Sequence, residues 1–179
     1  TTRSGVFSYL ANELLKMTKG HPVLILIALG IFTAVVSAFL DNVTTVILIM
    51  PITFAIARKL EIDPIPYLLT EVFASNIGGT ATLIGDPPNI IIGSAAGFSF
   101  MDFVNNLTLV VAVILIAVLA VMVLFFRKKL ATTAEKMKEA ANIDNTHTIT
   151  DVPLMVRSMI VLALVILGFV THDLSLIHI

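Results

Sequence analysis

Residues 75–89 read Ser-Asn-Ile-Gly-Gly-Thr-Ala-Thr-Leu-Ile-Gly-Asp-Pro-Pro-Asn, and they lie between segments apolar enough for a membrane. A proline lacks the backbone N–H and disfavours helical geometry in the residue before it, so a helix is difficult to continue through Gly85-Asp86-Pro87-Pro88. Irregular backbone at membrane depth is tolerated only where protein buries it or where it lines a wet cavity. The stretch therefore predicts a site inside a membrane protein.

The composition of the chain indicates the same class. Of its 179 residues, 58% are hydrophobic and 13% are charged, with a mean hydropathy of +1.02, whereas a soluble domain carries roughly 25% charged residues. The formal net charge of −1 gives no basic surface for nucleic acid, and the absence of cysteine excludes disulfides and thiolate chemistry. The sequence begins Thr-Thr-Arg, without Met and without a signal-peptide pattern, so we expect a fragment of a longer protein.

A second polar interruption, residues 41–45, lies in the middle of the apolar segment 22–57. A single helix over this segment would be roughly 54 Å long, whereas the hydrocarbon core of a bilayer is only about 30 Å thick. The segment is therefore predicted to form a re-entrant helical hairpin with its tip at 41–45 and a kink at Pro51. Basic residues flank both ends, which places both ends in the cytoplasm.

The rest of the chain is divided by the same pattern of apolar segments and charged ends. Residues 67–97 are predicted to form one discontinuous transmembrane helix, followed by a short outer loop over 98–105. An interfacial helix is expected at 6–19, with Val6, Leu10, Leu14 and Met17 on its apolar face. The remaining predictions are a transmembrane helix over 106–126, a cytoplasmic linker over 130–150, a transmembrane helix over 153–172, and a tail at 174–179 on which nothing is built. All 11 Lys and Arg then fall on the inner side, including residues 58–59 and 127–129.

The two polar interruptions offer the same kinds of ligand. Carboxylate, amide, hydroxyl and carbonyl oxygens are what hard cations bind, and transporters use unwound carbonyls and half-helix ends to hold ions at mid-membrane. The predicted ion- and substrate-binding residues are Asp41, Asn42, Thr44, Thr45, Asn76, Gly78, Gly79, Thr80, Thr82, Gly85, Asp86 and Asn89, with Ser37 and Glu71 as further candidates. A Na⁺ site is predicted at Asn42, Asp41 and Asp86, and no cofactor is expected beyond a coupling ion, Na⁺ or H⁺.

Structural roles compete with ion binding at several of these residues. Asp86 precedes a proline and is suited to cap a helix, and Asp41 or Asn42 could cap the second hairpin arm. Glu71 is either a third intramembrane carboxylate or a residue of the inner interface. Ser37 either faces the tip or bonds back to its own helix.

Two other classes of protein compete with a transporter. An intramembrane aspartyl protease would use two aspartates that share a proton, but such enzymes have Gly-x-Gly-Asp, and here the first of these positions is Leu83. A structural membrane subunit, in which the breaks are only kinks, is the second alternative.

Residues 37–45 and 75–89 together resemble the arsenite-permease and sodium–proton-antiporter family, which includes P-protein-like permeases and belongs to the superfamily of citrate-type and dicarboxylate transporters. The resemblance extends from about residue 6 to about residue 172. It implies an all-α polytopic transporter in which inverted repeats each contribute a re-entrant hairpin and a broken helix around the substrate. It also implies a homodimer, a multi-pass location in the lipid bilayer of a prokaryotic plasma membrane, and a second repeat that this chain does not contain.

The resemblance implies secondary active transport of an inorganic ion, a small anion or a metalloid by alternating access. In the dicarboxylate branch the hairpin tip reads Ser-Asn-Thr, whereas the matching positions here are Asp41-Asn42-Val43. Asp41 and Asp86 add negative charge where an anionic substrate would lie, which favours exchange of a cation and a proton, or a neutral substrate such as arsenous acid. A di- or tricarboxylate symporter is the alternative.

Overall fold

The computed structural model describes residues 6–142 together with Ile160 and Leu164. Within residues 6–142 the chain forms helices and connecting turns without a β-strand, which confirms the predicted all-α class. The helices are α1 (Val6–Met17), α2 (Pro22–Ser37), α3 (Asn42–Leu60), α4 (Ile65–Gly79), α5 (Pro87–Ala96), α6 (Phe100–Phe126) and α7 (Ala134–Ala141). Apart from Ile160 and Leu164, which are helical, the predicted helix at 153–172 and the tail at 174–179 lie outside the described residues.

The apolar segment 22–57 turns where the sequence predicts. Helix α2 ends at Ser37, and α3 begins at Asn42 after a turn through residues 38–41. The Asp41 carboxylate accepts a hydrogen bond from the Thr44 N–H at 2.9 Å and so caps α3. Helix α3 continues through Pro51 to Leu60, three residues beyond the predicted end. The re-entrant course of this hairpin in a bilayer stays a prediction.

The second break separates two helices that follow each other in the chain. Helix α4 begins at Ile65, two residues before the predicted start of the span, and ends at Gly79. Residues 80–86 form turns and bends, and α5 begins with Pro87 and Pro88, whose missing N–H groups are tolerated in a first helical turn.

The predicted outer loop at 98–105 is wrong, because α6 begins at Phe100 rather than at residue 106. Ser99 and Asp102 form a capping box: the Ser99 N–H donates to the Asp102 carboxylate at 2.8 Å, and the Asp102 N–H donates to the Ser99 hydroxyl at 3.2 Å. These bonds satisfy the first N–H groups of α6 and allow the polar residues Asp102, Asn105 and Asn106 to be helical.

The predicted apolar face of α1 is also wrong in part. Met17 is exposed, whereas Ala11 and Leu15 are fully buried. Asn12 is buried as well, and its side-chain carbonyl accepts a hydrogen bond from Lys59. The buried face of α1 therefore packs on α3, and whether α1 lies at a membrane interface stays a prediction.

The apolar core is formed mainly by side chains of α1, α2 and α3, with further residues from α4, α6 and α7. Helix α2 packs most extensively against α4, and α6 packs across both of them. Two described helices, α3 and α6, are long and apolar enough to cross a membrane, and α2 is a shorter apolar helix. Many large apolar side chains on the outer faces of α3, α5 and α6 are exposed in this chain, as expected where lipid or further protein covers them.

The basic ends of the helices meet at one end of the molecule. Lys136 of α7 forms a salt bridge with Glu61, and the Thr132 hydroxyl donates to the Leu60 carbonyl at 3.3 Å. A Cβ added at Gly20 would overlap the Met137 backbone, so α7 also lies against the turn after α1. This gathering is consistent with the predicted cytoplasmic side.

The orientation of the chain predicts the labelling of single cysteines. Asp63 and Met101 are exposed and lie near the ends of α4 and α6 that are predicted to face opposite sides of the membrane. In a full-length protein from which any other cysteine has been removed, we expect Asp63→Cys and Met101→Cys to react with an impermeant maleimide from opposite sides. Reaction of both from one side would exclude the discontinuous span. Leu60 is unsuitable as a position because it is fully buried.

Candidate functional site

The two polar interruptions come together in the structure. The Ser37 hydroxyl at the end of α2 donates to the side-chain oxygen of Asn42 at 2.8 Å. The Asn42 amide nitrogen, in turn, lies 3.4 Å from the side-chain oxygen of Asn76 on α4. Asn42 thus joins the carboxyl end of α2, the amino end of α3 and the last turns of α4.

Three glycines allow this close approach. A Cβ added at Gly79 would overlap the Asn42 side chain and the Gly85 carbonyl, and one added at Gly85 would overlap the carbonyls of Ser37 and Gly79. At Gly78 an added Cβ would overlap the Ala34 backbone. The absence of side chains at these glycines therefore allows the backbone of α4 and of the second break to pack closely against α2 and Asn42.

Side chains of the second break hold its own loop in place. The Thr82 hydroxyl donates to the Ala38 carbonyl and accepts from the Gly85 N–H at 3.1 Å. The Asn89 amide donates to the carbonyls of Thr82 at 2.8 Å and of Gly79 at 3.3 Å. Thr82 and Asn89 therefore fix the loop, and the carbonyl of Gly79, one of the predicted ion-binding positions, already accepts one hydrogen bond.

The two aspartates differ in their surroundings. Asp41 is exposed, and its carboxylate caps α3, an arrangement that also places negative charge at the positive end of the helix dipole. Asp86 occupies the N-cap position of α5 and is partly exposed, but its side chain makes no capping hydrogen bond. Asp86 therefore offers a carboxylate that the fold does not use.

The remaining predicted hydroxyls and amides are divided between surface and core. Thr44, Asn76 and Thr80 are exposed, and the Thr80 hydroxyl donates to the Asn76 carbonyl at 2.9 Å. Thr45 is fully buried, and its hydroxyl has no hydrogen-bond partner. Glu71 is also fully buried, away from the tip, and accepts a hydrogen bond from Thr53.

The depth of the second break in the membrane can be estimated from the part of α6 that lies beside it. An apolar cavity of about 430 Å³ lies between the second break and α6, lined by Gly78, Thr82 and Thr108 among other residues. Thr108 lies eight residues from the start of α6 and eighteen from its end, which corresponds to about 12 Å and about 27 Å along the helix. If α6 spans the bilayer, the break therefore lies inside it.

Among the residues that the structure describes, no group of three or more His, Asp or Glu side chains could hold a metal ion. The oxygens that the two breaks present are those of carboxylates, amides, hydroxyls and backbone carbonyls. That donor set is suited to Na⁺ and unsuited to a transition metal.

Two contacts of the site were missing from the sequence-based predictions. Thr53 was not connected with Glu71, because that pairing depends on how α3 and α4 pack. Ala34 and Ala38 contribute backbone against which the second break lies, and their small side chains, one turn apart before the hairpin tip, are the signal that could have indicated it.

Comparison with known proteins gives consistent matches. The sequence model of a family described as citrate transporter matches residues 1–179. A 46 kDa membrane protein of Mycobacterium leprae and an uncharacterized transporter of Mycobacterium bovis are each 44% identical over 170 residues, or 95% of this chain. The P protein of Homo sapiens is 36% identical over 135 residues, which cover 72% of this chain and 16% of that protein. No solved structure matches the sequence significantly.

The relatives are longer than this chain. The aligned region covers 40% of the Mycobacterium leprae protein and 39% of the Mycobacterium bovis protein. The resemblance drawn from residues 37–45 and 75–89 is confirmed at the level of the family and includes the P protein.

Proposed function

The chain belongs to the citrate transporter family, and from this premise we propose that it forms part of a secondary active transporter that exchanges or co-transports a cation, Na⁺ or H⁺, by alternating access. The observation that supports this most is the meeting of the two polar breaks. Asn42 links them, and Asp41 and Asp86 stand at the starts of the two helices that leave them.

The scarcity of free hydrogen-bond donors at these helix starts favours binding of a cation over binding of an anion. An anion binds at a helix start through free N–H groups. At α5, Pro87 and Pro88 have no N–H, and the Asn89 N–H donates to the Asp86 carbonyl at 3.0 Å. At α3, the N–H groups of Thr44 and Thr45 both donate to Asp41. Few donors remain for a substrate carboxylate, whereas two carboxylates and several carbonyls are present.

In this proposal Asp41 and Asp86 supply the charge that holds the cation. Asn42 contributes its side-chain oxygen, and the backbone near Gly79 and Gly85 supplies carbonyl oxygens. Exposed Thr44, Asn76 and Thr80 face the rest of the transporter or its central cavity. The missing part of the protein, a second repeat, would close the site from the other side, and the whole would work as a homodimer in the bilayer.

A di- or tricarboxylate symporter is the second candidate, because the family is described as citrate transporter. It would need the second repeat to supply most of the anion donors. The protease alternative loses support, because the family is one of transporters and the Mycobacterium bovis relative is described as a transporter.

A substrate panel on the full-length protein tests this proposal. In proteoliposomes with an internal pH dye, we expect added Na⁺ to dissipate an imposed pH gradient faster than in protein-free liposomes, because sodium enters as protons leave or the reverse. Radiolabelled citrate, succinate and arsenite are offered in parallel, with and without a Na⁺ gradient. Citrate uptake without any cation dependence would contradict the proposal, and citrate uptake that requires Na⁺ would select the second candidate.

A further inference from the structure

Glu71 is a carboxylic acid enclosed in the helix bundle away from the two breaks. Its side chain is 0% exposed, and it lies eight residues before Gly79, or about 12 Å from the end of α4 along the helix axis. Thr53 of α3 donates a hydrogen bond to its Oε1 atom, whereas Oε2 is buried and has no partner. A buried polar atom without a partner is rare and requires a physical reason.

Within residues 6–142, no positive charge compensates this acid. The helices that pack on α4 are α2, α3 and α6. Helix α2 has no ionisable residue, and α6 has only Asp102 at its outer end. On α3 the ionisable residues are Arg58 and Lys59 in the last turn, both exposed, and no described residue forms an ion pair with Glu71. The other ionisable side chain on α4 is the phenol of Tyr67, whose hydroxyl donates to the Pro22 carbonyl at 3.2 Å.

An ionised carboxylate with one hydrogen bond and no counter-ion is costly in a bilayer interior. The packed conformation is therefore that of a neutral acid. The missing part of the protein cannot supply a partner by simple docking, because Oε2 already has no exposed surface. A partner for Oε2 requires the helices that enclose Glu71 to move relative to one another.

A second observation points to the same pair of helices. The only other buried side-chain oxygen without a partner in the described part of the chain is the hydroxyl of Thr45, in the first turn of α3. Ser75, one turn after Glu71 on α4, is buried as well. Buried polar side chains thus continue along both helices from Thr53 and Glu71 towards the hairpin tip.

We propose that Glu71 carries the proton of the transport cycle, separately from the cation that Asp41 and Asp86 hold. In the packed conformation its carboxyl group retains the proton. When α4 moves relative to α3 and water reaches Oε2, the O–H bond breaks, the proton passes to water on the open side and a carboxylate remains. The reverse step occurs on the other side. This inference rests on the proposed secondary transport.

Infrared spectroscopy of the full-length protein tests the protonation of Glu71 without any transport. We expect a carbonyl band of a protonated carboxylic acid at neutral pH in the wild-type protein, lost in Glu71→Gln and retained in Glu61→Gln. Glu61 is the matched control because it is an exposed acid at the inner end. An unchanged band in folded Glu71→Gln would overturn the proposal.

A second variant covers the case in which Glu71→Gln does not fold. Thr53→Val removes the hydrogen bond to Oε1 and keeps the acid, so the same band should move to higher wavenumber. No shift in folded Thr53→Val would likewise overturn the proposal.

A transport assay distinguishes a role of Glu71 in proton coupling from a role in sodium transport as such. For the Glu71→Gln protein in proteoliposomes, we expect flux of radiolabelled sodium driven by a pH gradient to fall to the rate of protein-free liposomes. Exchange of sodium for sodium, which moves no proton, should remain. Equal loss of both fluxes would show a structural role and overturn the proposal, as would pH-driven flux at the wild-type rate. If wild-type protein moves no sodium at all, the proposed function fails, and the infrared experiment still decides whether Glu71 is protonated.

Discussion

Asp86→Asn should abolish coupled transport and leave the full-length protein folded. The substitution removes a charge but almost no volume, and the Asp86 side chain makes no capping hydrogen bond that would be lost. If this carboxylate is a ligand of the cation, sodium binding should weaken by at least about 100-fold, because even groups one layer behind a metal ligand typically contribute about 10–100-fold. Sodium-dependent dissipation of a pH gradient in proteoliposomes measures the effect.

Asp41 requires a comparison of two variants, because its carboxylate also caps α3. Asparagine caps a helix about as well as aspartate, whereas alanine costs about 0.5–2 kcal/mol. Asp41→Asn should therefore keep the wild-type melting temperature in detergent but lose transport. Asp41→Ala should have a lower melting temperature and should also lose transport. A variant Asp41→Asn that transports normally would reduce Asp41 to a capping residue.

Asp63→Asn is the matched control for both aspartates. Asp63 is also an exposed aspartate before a helix, and its side chain accepts from the Ile65 N–H at 3.0 Å. It lies at the inner end of α4 rather than at the breaks, so its charge should not matter for the cation. Wild-type flux in Asp86→Asn, or an equal loss in Asp63→Asn, would contradict the proposed cation site.

The breaks could be predicted from the sequence because their causes are local. Two prolines after Gly85-Asp86 stop a helix whatever surrounds them, and the length of segment 22–57 requires a turn. The start of α6 was predicted too late because polar Asp102 and Asn105 were interpreted as part of a loop. The spacing of Ser99 and Asp102, a capping-box signature, was the local signal for the earlier start.

Contacts between helices were less predictable. The apolar face of α1 was misplaced because the buried Asn12 depends on Lys59, which lies 47 residues later. The pairing of Glu71 with Thr53 depends on the register of α3 against α4. Both are properties of packing, and helical periodicity within one segment does not contain them.

Gly78→Ala should strongly destabilise the contact between α2 and α4. An added Cβ would overlap the backbone of Ala34, including its carbonyl oxygen, and a backbone cannot rotate away as a side chain can. Overpacking of this kind costs about 1–3 kcal/mol, which outweighs the gain of about 1 kcal/mol that alanine gives over glycine in a helix. We expect a clearly lower apparent melting temperature in detergent and, because α4 carries Asn76 away from Asn42, loss of sodium flux.

Gly93→Ala separates overlap with backbone from the general effect of replacing a helical glycine. Gly93 is also a buried helical glycine, but the nearest atom to its added Cβ is the end of the Leu83 side chain, which can rotate. The propensity gain is the same in both variants, so their difference in melting temperature measures the backbone contact at Gly78 alone. If Gly78→Ala were as stable and as active as Gly93→Ala, the close packing of α2 on α4 would be wrong. Asn42 and Asn76 could then not form one site, because that packing is what holds the two breaks together.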